Sequence, residues 1–159
     1  MDKAQLIKEI ADGLRRSLGI LDKAARAAHA EATHESSRAE NKYDTRGLEA
    51  SYLAAGQARQ ARETLAAIKL YDAMAPKAFA KGEPVDLGAL VQLTVDRTRS
   101  FYFVGPSGGG LEVTLDGEEI TVITPSSPLG QSVMGRRAGD KWTTNVGGAK
   151  VRYEIVSVK

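Results

Sequence analysis

The chain contains no cysteine, which excludes disulfide bonds and thiolate metal sites. It also has no proline before Pro76, so no proline interrupts a long N-terminal helix. No apolar run approaches the roughly 20 residues that span a bilayer, and the N-terminal stretch MDKAQLIKEI lacks a signal-peptide core. These absences lead us to expect a soluble cytoplasmic protein that has no contact with membranes.

An excess of charge of either sign is also missing, because 22 basic residues are balanced by 20 acidic ones and the net charge is +2. This balance argues against a general nucleic-acid binder. The basic residues in the first half permit two interpretations, a solvated helix surface or a stripe that follows a nucleic-acid backbone. Those along the predicted helices are Arg15, Arg16, Lys23, Arg26, Arg59 and Arg62.

What the first half does contain is a repeat of apolar and small residues over residues 5–72. Its steps alternate between four and three residues, which is the periodicity of a coiled-coil seam. The seam positions of the first helix are Leu14, Leu18, Leu21, Ala25, Ala28 and Ala32. Those of the second are Gly47, Ser51, Ala54, Ala58, Ala61, Leu65 and Ile68. The pattern predicts an antiparallel α-helical coiled-coil hairpin with a charged tip between its helices.

The composition changes near residue 76, where prolines, glycines and alternating apolar residues begin. We predict a hairpin domain at 1–75, a linker at 76–86 and a small antiparallel β-sheet domain at 87–159. The fold class is therefore α+β. One short helix should begin at Ser127-Pro128, with a serine cap and proline at the first position, and stop at Gly135. The predicted strands are 90–95, 101–104, 111–115, 120–123, 142–146 and 151–156.

The tip, residues 33–44, offers carboxylates that suit a hard cation such as Mg²⁺, although by themselves they form no enclosed cage. A solvated polar turn is the alternative interpretation. The two histidines, His29 and His34, do not share a helix face and suggest no metal site. No Ser-His-Asp or Cys-His arrangement is evident, so we do not expect an enzyme in its own right.

Two segments make the sequence similar to the GreA and GreB family of bacterial transcription elongation factors. The first is the tip, with its Glu40-Asn41 pair between long helices. The second is TPSSPLG at 124–130 followed by MGRRAGD at 134–140. This second segment resembles the family's Ser-Pro, short helix, glycine, basic pair and Gly-Asp.

The resemblance implies an FKBP-like C-terminal domain that docks on RNA polymerase at the rim of its secondary channel. It also implies that the coiled coil enters this channel and stimulates cleavage of backtracked RNA, where it could contact the 3′ end of the nascent RNA. We expect a monomer, although exposed heptad faces can also pair. Glu40 would be the catalytic carboxylate and would share Mg²⁺ of the polymerase active site, since the factor has no cofactor of its own. The implied binding residues are Asn41, Ser37, Asp44, Arg38 and Lys42 at the tip, and Ser127, Pro128, Leu129, Arg136 and Arg137 in the C-terminal domain.

One position departs from the family pattern, which has an aspartate three residues before the Glu-Asn pair. This chain has Ser37 there, and Glu35 or Asp44 could take the place of the missing carboxylate. Two alternatives therefore stay open beside cleavage stimulation. One is a regulator of the same fold that occupies the channel without stimulating cleavage. The other is a prolyl isomerase or folding module in the C-terminal half.

Overall fold

A computed structural model describes residues 1–33 and 46–159. Two long helices come first, and a six-stranded sheet with one short helix follows. This order confirms the predicted α+β fold class. The helices are α1 (Lys3–Thr33), α2 (Arg46–Asp72) and α3 (Pro128–Val133). The strands are β1 (Leu90–Val95), β2 (Thr98–Val104), β3 (Glu112–Leu115), β4 (Glu118–Ile123), β5 (Lys141–Val146) and β6 (Ala149–Val158).

The predicted seam agrees with side-chain exposure along α1. Leu14 and Ala28 are buried, and the seam positions between them are half-buried. On α2 the prediction was wrong at Leu65, which is 45% exposed, and at Ser51, which is also exposed. A helix with 3.6 residues per turn drifts away from a strict seven-residue repeat, so Thr64 takes the half-buried position instead of Leu65. The seam positions Ala32 and Gly47 have no described side-chain environment.

The strands are ordered β3-β4-β2-β1-β6-β5 across one sheet. The prediction of an antiparallel sheet was wrong for one pair, because β2 and β4 run parallel from Phe101↔Ile120 to Val104↔Ile123. This arrangement is possible because β3 lies between them in the chain and returns the chain to the same direction. The other pairs are antiparallel.

Contacts group the chain into two compact units, Leu14–Lys69 and a second unit made of Met1–Gly13 with Leu70–Lys159. The first thirteen residues, which the sequence pattern assigned to the helical domain, thus group with the sheet. The boundaries predicted at 1–75, 76–86 and 87–159 otherwise stay a prediction. The buried apolar side chains of this N-terminal segment are those of Leu6, Ile7, Ile10 and Ala11.

Alternation along the strands gives the sheet two apolar faces. One face carries Phe103, whose ring centroid lies 6.5 Å from that of buried Tyr71. Gly13 of α1 lies on Leu111 and Val113 on this side. The other face holds a core cluster, against which α3 packs through Val133 and the half-buried Leu129 and Met134. The cluster consists of Val85, Ala89, Val91, Leu93, Val104, Ile123, Val133 and Ile155. The sheet and this cluster fix where α3 sits.

Candidate functional site

The predicted tip residues lie outside the described part of the chain, so their roles stay predictions. They are Glu40, Asn41, Ser37, Asp44, Arg38 and Lys42. Within residues 1–33 and 46–159, no group of three His, Cys, Asp or Glu side chains is arranged to hold a metal ion. In the same ranges, no helix is long and apolar enough to cross a membrane. The candidate site that the structure does describe is the surface around α3.

Local capping explains why α3 begins where it does. The hydroxyl of Ser127 accepts a hydrogen bond from the backbone N–H of Gly130 at 3.1 Å and donates one to the carbonyl of Thr124 at 2.8 Å. Pro128 follows at the first helical turn, where a missing N–H costs nothing. Gly135 has a φ of 76°, a left-handed conformation that glycine adopts easily just after a helix. The predicted start and stop are therefore confirmed.

Close approach of α3 to the preceding turn depends on Gly130. A Cβ atom built at this position would lie 1.8 Å from the carbonyl oxygen of Thr124 and 2.9 Å from the Ser127 hydroxyl. No side chain larger than hydrogen fits without moving the backbone, because non-bonded heavy atoms do not approach this closely. The absence of a side chain at Gly130 thus allows the start of α3 to lie close to Thr124, the residue that follows β4.

A cleft opens beside this turn, and we call it the α3 cleft. Its volume is about 740 Å³. The residues that line it combine hydroxyls with apolar groups. They are Tyr102, Pro106, Ser107, Gly108, Gly109, Gly110, Thr121, Val122, Ile123, Thr124, Ser126, Ser127, Pro128 and Leu129. The structure therefore brings three predicted docking residues, Ser127, Pro128 and Leu129, together in one concave surface.

The far wall of the α3 cleft is the glycine-rich loop 105–110, which Tyr71 holds in place. The Tyr71 hydroxyl donates a hydrogen bond to the carbonyl of Ser107 at 2.8 Å. A Cβ atom on Gly105 would lie 1.9 Å from the same hydroxyl, so only glycine allows the loop to lie this close. Burial of the Tyr71 side chain raises its pKa well above the ordinary range. Nothing in the sequence pattern marked Tyr71, which is separated from this loop by more than thirty residues.

The basic pair Arg136 and Arg137 lies at the other end of α3 and does not line the α3 cleft. The Arg136 guanidinium lies 4.5 Å from the ring centroid of Trp142, and its Nε donates to the carbonyl of Ser132 at 2.6 Å. Arg137 is exposed, and its guanidinium donates to the carbonyl of Gly82. Sequence reasoning missed the contact with Trp142 because the partner lies on β5.

Loss of the α3 cap gives a testable stability change. Replacing Ser127 with alanine should lower the free energy of unfolding by about 1 kcal/mol, because the Gly130 N–H loses its acceptor. The matched control is Ser126→Ala, whose exposed hydroxyl caps no helix and whose loss should cost less than about 0.5 kcal/mol. Urea unfolding of both variants measures the difference. Equal midpoints for the two variants would contradict the capping role.

Comparison with protein families bears on this part of the chain. The family described as transcription elongation factor, GreA/GreB, C-terminal, matches residues 81–159. Residues 81–159 therefore form a domain of the GreA/GreB family. The matched region contains α3, the α3 cleft and the basic pair, so it includes the second of the two segments that carried the resemblance; the tip lies outside it.

Comparison with solved structures finds similar chains of low sequence identity. GreA factor homolog 1 (Gfh1) of Thermus thermophilus is 20% identical, with a TM-score of 0.37, and 94% of each chain is covered. Gfh1 of Thermus aquaticus is 22% identical, with a TM-score of 0.38, and the match covers 95% of this chain and 94% of that one. None of the curated proteins compared is similar enough to count as a relative.

Proposed function

We propose that this protein is an RNA polymerase accessory factor of the GreA/GreB type, acting in the bacterial cytoplasm as a monomer. In this proposal the GreA/GreB domain docks at the rim of the secondary channel, and the residues between α1 and α2 enter the channel. The observation that carries the proposal is the family match over residues 81–159. Support comes from the gathering of Ser127, Pro128 and Leu129 at the α3 cleft, on the segment where the resemblance places docking residues.

The length of the helices suits this role. α1 has 31 residues, which corresponds to about 46 Å at 1.5 Å per residue. A residue that follows the end of such a helix therefore lies far from the first turn of the helix. In this proposal, the long helices allow the residues between them to extend into the channel, and the α3 cleft is the surface that docks on the polymerase.

The proposed chemistry is hydrolysis of a phosphodiester bond in backtracked RNA, performed by the polymerase itself. Two-metal chemistry activates the attacking water and stabilises the leaving 3′ oxygen. Glu40 would add a negative charge that attracts the second Mg²⁺ and orients the water, close to the 3′ end of the RNA. The tip needs no complete metal site of its own, because the polymerase provides the remaining ligands.

Ser37 favours a second candidate, a regulator that occupies the channel without stimulating cleavage. A neutral hydroxyl is a weaker ligand for Mg²⁺ than the carboxylate that the family pattern places there. A transcription assay separates the two functions. Shortening of RNA in backtracked complexes supports the cleavage factor, and slower synthesis without shortening supports the regulator.

Ser37 also leads to a prediction in which a substitution increases activity. Ser37→Asp should raise the rate of RNA cleavage by about tenfold, since a second carboxylate improves Mg²⁺ binding by an amount near 1.4 kcal/mol. The measurement is the rate of transcript shortening in stalled complexes. Ser36→Asp is the matched control, because it adds the same charge one residue away. No gain for Ser37→Asp would mean that another residue already supplies the carboxylate.

A prolyl isomerase function finds no specific support. The α3 cleft has Tyr102 as the one aromatic residue in its lining, and a shared architecture does not by itself confer activity. Isomerase activity of the full chain on a proline peptide would be the observation in its favour.

A further inference from the structure

Arg136 and Arg137 are adjacent and carry the same charge, but their surroundings differ. Arg136 is half-buried, with its guanidinium on the Trp142 ring and its Nε on the Ser132 carbonyl. Arg137 is exposed; its guanidinium donates to the carbonyl of Gly82, and its backbone is hydrogen-bonded to Asp140. The cation of Arg136 is therefore engaged with groups of its own chain, whereas that of Arg137 stays accessible to a partner.

The surface beneath Arg136 is a pair of stacked rings. Trp142 and Tyr153 are direct partners in the β5–β6 ladder, and their ring centroids are 5.1 Å apart with planes inclined by 10°. A guanidinium is flat and stacks on such a ring, while the ammonium of lysine is a compact charge without a plane. Lysine at this position would keep the positive charge but lose the flat group that can cover the ring.

Arg136 lies in a segment, residues 135–139, that backbone hydrogen bonds join to two other parts of the domain. Its carbonyl accepts from the N–H of Val85 at 2.7 Å, and the N–H of Gly135 donates to the carbonyl of Val85 at 2.9 Å. A few residues later, the N–H of Gly139 donates to the carbonyl of Ile155 on β6 at 2.8 Å. The side chain of Arg136 adds links to the last turn of α3 and to β5. Its position thus fixes how α3 lies on the sheet.

We propose that Arg136 is a positioning residue of the docking surface and does not itself contact the polymerase. It acts through Ser132 and Trp142 to hold α3, and with it Pro128 and Leu129, at the α3 cleft. Arg137 supplies the charge of the basic pair that a partner meets. This inference rests on the proposed function, and it separates two residues that the family resemblance treated alike.

Binding to RNA polymerase at several salt concentrations tests the proposal. Arg136→Lys and Arg136→Gln should weaken binding to the same extent, within twofold of each other, and leave the salt dependence of Kd as in the unmodified protein. Arg137→Gln should weaken binding and reduce its salt dependence, and Arg137→Lys should restore both, as expected for an exposed interface charge. Full rescue by Arg136→Lys, or unchanged binding in both Arg136 variants, would overturn the proposal.

A second measurement needs no polymerase, because Trp142 is the chain's single tryptophan. In Arg136→Lys, loss of the guanidinium from the Trp142 ring should raise acrylamide quenching of the Trp142 fluorescence at least twofold. In Arg137→Lys, this quenching should be unchanged. Circular dichroism establishes that both variants are folded. Unaltered quenching in Arg136→Lys would refute the positioning role even if polymerase binds. Conversely, failure of the unmodified protein to bind polymerase would refute the proposed function, whatever the quenching shows.

Discussion

Replacing Glu40 with alanine is expected to lower the rate of RNA cleavage in backtracked polymerase complexes by about 100-fold, corresponding to roughly 3 kcal/mol of transition-state stabilisation. The physical reason is that a carboxylate is lost where the second Mg²⁺ would be attracted and the attacking water oriented. The measurement is the rate at which the labelled transcript shortens at saturating factor. Binding to polymerase, measured by competition, should change by less than about twofold, because the proposed docking surface lies in the GreA/GreB domain.

The matched control is Glu31→Ala, which removes the same charge from an exposed position near the end of α1. This variant should cleave at the unmodified rate. The variants Glu35→Ala and Asp44→Ala test whether Glu35 or Asp44 supplies the carboxylate that is missing at position 37, where this chain has serine. Full stimulation by Glu40→Ala would contradict the role assigned to this residue.

Substitution of Gly130 by alanine should lower the free energy of unfolding by about 3 kcal/mol or more, near the upper end of the range for overpacking. Its Cβ atom would lie 1.8 Å from the Thr124 carbonyl oxygen, and a backbone group cannot rotate aside as a flexible side chain does. We also expect weaker binding to polymerase, since the start of α3 forms a wall of the α3 cleft. Urea unfolding and the competition assay measure the two effects.

Gly19→Ala provides the matched control for the same chemical change. Gly19 is an exposed helical residue, and apart from its chain neighbours and the adjoining helix backbone, no atom of the described part of the chain lies within 4 Å of a Cβ built there. Alanine in a helix is favoured over glycine by roughly 0.5–1 kcal/mol, so this variant should be more stable than the unmodified protein. We therefore expect Gly130→Ala to lower the free energy of unfolding and Gly19→Ala to raise it. An unfolding midpoint of Gly130→Ala equal to that of the unmodified protein would disprove the close approach.

Features that depend on neighbouring residues were predictable from the sequence. The Ser127 cap, Pro128 and Gly135 define α3 within a few positions of one another, so their own stereochemistry determines the helix. The turn Asp116-Gly117 has positive φ at both residues, as a two-residue hairpin requires. The same holds for the turn at 147–148. Each of these signals is complete within about eight residues.

Features that depend on distant residues were not predictable. The parallel pairing of β2 with β4 is decided by the whole sheet, and no local signal distinguishes it from an antiparallel pairing. The grouping of Met1–Gly13 with the sheet is another example, because an amphipathic stretch does not specify its partner. At the candidate site, the segment 127–129 was found by resemblance. Tyr71 and Trp142 were missed, since their roles come from contacts across more than thirty residues or between elements.

Site-specific crosslinking tests the central claim most directly, namely that the tip between α1 and α2 lies in the polymerase active-site region while the GreA/GreB domain stays at the channel rim. A photoreactive amino acid placed at Asn41 should crosslink to the active-site region of the polymerase or to the RNA 3′ end in backtracked complexes. The same group placed at Pro128 should crosslink to the rim alone. Crosslinking from Asn41 to the polymerase exterior, with none near the active site, would contradict the account.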